Sequence, residues 1–311
     1  MVNPGEKPAI EFKDVCGLDL LKESLFQAAI LPLKQPQLFS NHTKPYKGFL
    51  LFGPPGTGKT FIAKALAGEI GGTNFFSISV GNVLSKYVGE SESYIRNLFE
   101  VARDVKPAII FFDEIDVLAN KRSETGTNSY SCQGVLNELL TQMDGFKGSN
   151  DGILIMATTN VPQQLDNGIL RRFDKLIYVK LPTYKDRRQM FEQRYSIPEY
   201  ANLTNENFDE LAARTSGFSG SDISNICNEA NNMALSRIVN CRNFSVSQED
   251  GNIYVPCFGD GDIPYGSLSA KPIAKFSDLS KAISQTNPSI QQSDINIYEK
   301  FVEERTCIPI Q

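Results

Sequence analysis

Five short apolar runs punctuate the first part of the chain, at residues 49–52, 75–79, 109–113, 153–157 and 176–179. They are nearly continuous in apolar residues rather than alternating, as expected of strands buried on both faces of a parallel sheet. Segments with helical spacing separate most of them. Between the second and third, Ile95, Leu98, Phe99 and Ala102 recur at intervals of three and four before Pro107 stops the helix. The alternation predicts an α/β fold over residues 1–182, with a parallel sheet flanked by helices.

Beyond Pro182 the strand signal fades, and residues 186–194, 209–214 and 222–238 carry helical patterns. A small helical domain is therefore expected over residues 183–311. From 241 to 275, Gly251, Gly259, Gly261 and Gly266 mix with Pro256, Pro264 and Pro272 around short β-branched or aromatic pieces, predicting an inserted β-hairpin or long loop. Two helices are expected to close the chain, near 277–284 and about 294–306.

Composition narrows the function classes. The chain has 311 residues, 41% hydrophobic and 22% charged, which suits a large and a small globular domain. A net charge of -5, from 31 basic and 36 acidic side chains, gives no broad electrostatic reason to expect nucleic acid or an anionic membrane as partner. The six cysteines form no CxxC pair, which argues against zinc or a disulfide framework and for a reducing compartment. The polar start, with Pro4 and Pro8, is unlike a signal peptide, and no apolar run approaches the ~18 residues of a spanning helix. The expectation is a cytoplasmic protein that meets membranes only through partners.

The chemistry lies in four motifs. Gly53-Pro54-Pro55-Gly56-Thr57-Gly58-Lys59-Thr60 fits the P-loop pattern between a predicted strand and a predicted helix. Its glycines allow backbone N–H groups to turn around phosphate at a positive helix end. Lys59 would reach the β- and γ-phosphates of ATP, and the Thr60 hydroxyl would ligate Mg²⁺. The third apolar run ends in Asp113-Glu114 at the carboxyl edge of the sheet, where ligands of open α/β sheets bind. Asp113 would hold Mg²⁺ through water, and Glu114 would orient and deprotonate the attacking water. Asn160 follows the fourth run; alone it could be a turn former, but beside the other motifs it is placed to touch the γ-phosphate and the lytic water. Arg171-Arg172 cannot both serve their own subunit's nucleotide from across the sheet. They make sense as arginine fingers offered to a neighbouring subunit, the bland alternative being surface ion pairs.

Together these residues are similar to an AAA ATPase. Leu170-Arg171-Arg172-Phe173, with no Pro-Gly between the arginines, resembles the meiotic clade of katanin, spastin, fidgetin and the vacuolar protein-sorting ATPase that disassembles ESCRT-III filaments. The last fits best, over nearly the whole chain, including Asp14-Val15-Cys16-Gly17-Leu18 and the late insertion. The resemblance implies a homo-oligomeric ring, typically a hexamer, with ATP at subunit interfaces and a central pore. It assigns Val15 and Cys16 to the adenine and the stretch Pro55, Gly56, Thr57, Gly58, Lys59, Thr60 and Phe61 to nucleotide binding. Lys86-Tyr87-Val88 matches the pore loop that grips an extended substrate, expected to be an ESCRT-III subunit. Gly217-Phe218-Ser219-Gly220-Ser221-Asp222 matches the start of the small-domain helix near the nucleotide.

Some features depart from the pattern. Tyr87 stands where tryptophan is usual, and Gln133-Gly134 replaces an arginine pair expected in the second pore loop. The small polar stretch 126–131 is expected to form a mobile part of that loop. No microtubule-interacting-and-transport domain precedes the ATPase motifs in the sequence given, so recruitment by another route, or through a segment outside it, is expected. The rival enzyme is a microtubule-severing ATPase, against which the lost arginine pair and the late insertion weigh. The rival from another class is a nucleotide-gated scaffold without useful turnover, a reading that damage at Asp113, Glu114 or Arg171 would favour, and none is seen. No guanine-reading Asn-Lys-x-Asp occurs, and His42, the one histidine, sits in a polar stretch expected at the surface.

Overall fold

In the computed structural model each of the five apolar runs is a strand: β1 (Gly48–Phe52), β2 (Asn74–Ser79), β3 (Ala108–Asp113), β4 (Ile153–Thr159) and β5 (Lys175–Val179). The structure describes residues 10–35, 46–86, 90–120, 127–149, 152–195, 203–239, 243–246, 254–257, 263–264, 273–305 and 307–310. All five strands pair in parallel, in the order β2-β3-β4-β1-β5. Their side chains alternate between two cores. Leu50 and Phe52 of β1 face a core with Ile110 and Phe112, whereas Phe49 and Leu51 face one with Ile109 and Phe111. Both faces are covered, which is why the strands read as unbroken apolar runs.

The helices that cover them are α1 (Asp19–Leu25), continued through a π turn at Phe26–Ile30 into α2 (Leu31–Lys34), then α3 (Lys59–Glu69), α4 (Val80–Lys86), α5 (Ser91–Asp104), α6 (Val117–Asn120), α7 (Thr127–Ser149) and α8 (Asn167–Leu170). The predicted stripe Ile95, Leu98, Phe99, Ala102 is the buried face of α5 and shares a core with Val135, Leu136 and Leu139 of α7. Leu21 and Leu25 of α1 pack with Ile62 and Leu66 of α3 on the opposite face. Residues 127–131, read from their small polar side chains as loop, instead form the first turns of α7.

Leu181–Ile290 forms a second compact unit, built on α9 (Tyr184–Tyr195), α10 (Asn205–Arg214), α11 (Gly220–Val239) and α12 (Phe276–Gln285). Phe191, Leu211, Ile226 and Leu279 make its core. Each helix start carries its own signal. Thr204 and Asn207 bond reciprocally ahead of α10, and Ser219 and Asp222 do the same at the start of α11. The late insertion contains a small antiparallel sheet of β6 (Asn243–Val246), β7 (Tyr254–Cys257) and β8 (Ile263–Pro264), with Asn243 opposite both Cys257 and Pro264.

The chain then returns to the large unit. Adjacency in sequence assigned residues 183–311 to one small domain, but Gln291–Gln311 packs with Met1–Lys180. The reason is a pair of aromatics on α13 (Gln292–Glu303). Phe301 meets Phe52 edge-on at 5.1 Å and Tyr298 stacks on Tyr178 at 5.9 Å. Such pairs contribute about 0.5–1.5 kcal/mol each beyond the area they bury. The tail adds β9 (Ile308–Ile310), a sixth parallel strand beside β5. Among the described residues no helix is long and apolar enough to cross a membrane.

Candidate nucleotide-hydrolysis site

The P-loop leaves the end of β1 and enters α3. Gly53 has φ 147, and a Cβ there would fall 2.3 Å from the Val179 carbonyl oxygen, so only glycine fits. Gly58, at φ 89, caps α3 from the left-handed region. Nothing lies within 4 Å of a Cβ built on it, which leaves space at the positive end of an 11-residue helix. Lys59, only 6% exposed, donates to the carbonyls of Gly53 (2.9 Å) and Pro54 (2.7 Å). Burial pushes its amine down to about 8 against the opposing pull of Asp113 and Asp116. A buried cation bonded to neutral carbonyls, beside a helix N-terminus, fits the phosphates of a nucleotide.

A pH dependence follows. Phosphate beside Lys59 favours the ammonium, so binding takes up a proton wherever the free protein has lost it. With the free amine titrating at about 8, uptake on ADP or ATP binding is expected to rise from ~0.1 proton at pH 7 to ~0.9 at pH 9, and affinity to fall as pH climbs above that value. Calorimetry in buffers of different ionisation enthalpy measures this. Uptake unchanged between the two pH values would mean that Lys59 does not meet the phosphates.

The acids gather at the ends of β3 and β4. The Thr60 hydroxyl donates to Asp113, 3.1 Å from Oδ1 and 3.2 Å from Oδ2. Two hard oxygen groups this close suit Mg²⁺. The Thr158 hydroxyl donates to Asp113 Oδ1 at 2.5 Å and accepts from the Glu114 N–H at 3.2 Å. One buried threonine thus links the Asp113 carboxylate to the Glu114 main chain, a role that sequence reasoning missed although Thr158 stands two residues before Asn160. Glu114 has φ 55, a left-handed conformation costly for a non-glycine residue, and its side chain is exposed. Thr159, facing the other way, donates to Asp116 at 2.8 Å and accepts from the Val161 N–H at 3.0 Å. Asn160 follows, half-buried, its carbonyl accepting from the Tyr298 hydroxyl at 2.6 Å. The structure therefore brings Lys59, Thr60, Asp113, Glu114 and Asn160 to one edge of the sheet.

The two arginines part company. Asp166 caps α8 by accepting from the Ile169 N–H at 2.8 Å, and α8 delivers the chain to Arg171. Asp174 then ties the turn to β1 by accepting from Lys47 N–H (2.7 Å) and Gly48 N–H (3.0 Å). Arg171 is exposed, and its side chain makes no hydrogen bond or ion pair among the described residues. Arg172 is half-buried and bonded within its own chain, to Asp144 on α7 at 2.6 Å and to the Gly168 carbonyl at 3.5 Å. Of the remaining site residues, Val15 is buried with its carbonyl held by Lys22 at 2.6 Å, and Cys16 is half-buried. Pro55 and Phe61 are exposed beside the loop, and Thr57 closes it by donating to Pro54 at 3.0 Å. Lys86 ends α4, while Tyr87 and Val88 lie outside the described residues.

Comparison with known proteins adds to this geometry. The model of the ATPase family associated with various cellular activities (AAA) matches residues 49–181, that of the AAA+ lid domain residues 205–251, and that of the Vps4 C terminal oligomerisation domain residues 261–305. Vacuolar protein sorting-associated protein 4A of Homo sapiens is 39% identical over 317 residues, spanning 96% of this chain and 72% of its own. Protein SUPPRESSOR OF K(+) TRANSPORT GROWTH DEFECT 1 of Arabidopsis thaliana is 40% identical over 311 residues, spanning 96% of this chain and 70% of its own. Among solved structures, the FIGL-1 AAA domain in complex with ADP superposes with a TM-score of 0.76 at 32% identity, covering 99% of this chain and 94% of that one.

Proposed function

From the premise that this chain belongs to the Vps4 family of AAA ATPases, we propose that it closes into a homo-oligomeric ring, in the manner of a hexamer, and uses ATP to draw ESCRT-III filament subunits through a central pore. The Asp113-Thr158-Glu114 arrangement is the single observation that carries the catalytic part of this reading. It ties the metal-side carboxylate of Asp113 to the main chain of Glu114, so that a second carboxylate projects from the same sheet edge, which hydrolysis requires and mere nucleotide binding does not.

The steps assign one task to each group. Lys59 and the start of α3 hold the phosphates, with Val15 and Cys16 against the adenine. Thr60, and Asp113 through water, would hold Mg²⁺, which when bound would supply charge neutralisation on the transferring phosphoryl group. Glu114 orients the attacking water and takes its proton, and the Asn160 amide spans the water and the γ-phosphate. Arg171 of one subunit stabilises the charge developing in its neighbour's site. Arg172, through Asp144, holds the turn from which Arg171 projects, with its own reach to the neighbour set by whether that ion pair opens. Lys86, Tyr87 and Val88 grip the substrate strand, the tyrosine ring stacking on it and its hydroxyl bonding to it.

The test is filament disassembly. The wild-type protein with ATP and Mg²⁺ is expected to release subunits from preformed ESCRT-III polymers in a pelleting assay, and Tyr87→Ala to retain ATPase activity while losing most of that release. Polymers left intact, with taxol-stabilised microtubules fragmented instead, would replace this reading with severing. Neither substrate affected despite ring assembly would favour a scaffold.

A further inference from the structure

We propose that Tyr298, on the last helix of the chain, is a positioning residue for ATP hydrolysis: its hydroxyl fixes the main chain of Asn160, and through it the amide that meets the attacking water. The proposal rests on the role given to Asn160 above. Asn160 lies one residue past the end of β4, beyond the last ladder position of that strand. The two residues before it pair with Leu51 and Phe52 of β1 and also reach the acids through their side chains. Thr158 holds to Asp113, and Thr159 holds to Asp116 and to the Val161 N–H. Two residues past Asn160, Pro162 has no N–H to bond back toward the strand end and opens a 3-10 turn instead. Beyond that ladder, the Tyr298 hydroxyl donates to the Asn160 carbonyl at 2.6 Å.

That hydroxyl is held in place by its ring. Tyr298 is 7% exposed and stacks on Tyr178, which stacks on Phe52 at 5.5 Å, and Phe52 meets Phe301 edge-on. Phe52 is the last residue of β1, next to Gly53 of the P-loop. The four rings therefore lock α13 to the strand that carries the phosphate loop, and phenylalanine at 298 would pack equally well. A buried hydroxyl is costly unless bonded, so its use on Asn160 is what distinguishes tyrosine from phenylalanine here. Farther along, Arg305 donates to the Asn167 side chain at 2.9 Å, at the start of the helix leading to Arg171. The end of the chain thus touches both limits of the segment 160–167.

Steady-state ATP turnover, with binding of a fluorescent ADP analogue and sizing alongside, tests this on the full chain. The variants are Tyr298→Phe, Asn160→Ala, the double variant, and Tyr178→Phe, which removes a hydroxyl from the same stack without touching Asn160. Tyr298→Phe is expected to lower kcat about tenfold, the worth of one hydrogen bond that counts in the transition state. Analogue affinity and assembly should be unchanged, and Tyr178→Phe should behave as wild type. In the Asn160→Ala background, Tyr298→Phe should produce no further loss. The proposal is overturned by normal turnover in Tyr298→Phe while Asn160→Ala is impaired, by an equal added loss in the double variant, or by a kcat loss that merely tracks lost assembly. Normal turnover in Asn160→Ala would instead remove the role of Asn160 itself, and this inference with it.

Discussion

Glu114→Gln is expected to lower ATP turnover by about 10²–10⁴-fold, the usual worth of a positioned general base, while nucleotide binding stays close to that of the wild type. The exchange keeps the size of the side chain and removes only its capacity to accept the proton of the attacking water. The local fold should not notice. What holds residue 114 is its main chain, through the N–H bond to Thr158 and the left-handed backbone at φ 55, and the carboxylate itself is exposed. On the proposed ring mechanism, in which hydrolysis resets the subunit interface, the variant should also persist longer as an assembled ring when ATP is present. Phosphate release, titration with a fluorescent nucleotide and sizing in ATP read these three expectations. Turnover within a few-fold of wild type would remove Glu114 from the reaction and return the search for the base to the same sheet edge.

The second large effect is expected at Arg171. Arginine fingers contribute about 10³–10⁵-fold to phosphoryl transfer, so Arg171→Ala should reduce specific activity by about 10³-fold or more at concentrations where the wild type is fully active. Arg171 is exposed and its side chain makes no hydrogen bond or ion pair among the described residues, so the substitution should leave the folded subunit intact. Arg172→Ala is a poorer probe because it also strips Asp144 of a 2.6 Å ion pair on α7. The measurement is turnover per subunit over a wide range of protein concentration. A specific rate that climbs in the wild type and stays low and flat in Arg171→Ala marks a site shared between copies. A flat rate indifferent to Arg171, with a monomer in sizing, would undo both the finger and the ring.

Much of this molecule is legible in one dimension, and the reason is physical. Strands covered on both faces must be apolar at every position, so β1, β3 and β4 appear as runs in the sequence. A phosphate loop needs left-handed backbone at fixed places, so Gly53 and Gly58 stand at a fixed spacing from Lys59. The acids at the end of β3 and the amide after β4 are legible for a related reason: strand ends at one sheet edge converge whatever lies between them.

What the sequence left open are pairings across long separations, where no local spacing records the partner. Thr158 lies 45 residues from Asp113, and Tyr298 lies 138 from Asn160. The partner of Arg172 on α7 was equally silent, since an arginine's pattern is the same whether it faces solvent, a neighbour or its own chain. The final helix was assigned by adjacency to the small domain, yet Phe301 and Tyr298 bury against β1 and β5, and Ile308–Ile310 extends their sheet. By itself the sequence located the five buried strands and the motifs at their ends, because periodicity and backbone conformation are local. Only the tertiary structure decided which hydroxyl holds which acid and where the end of the chain docks, because burial rewards any well-fitting apolar contact regardless of its distance along the chain.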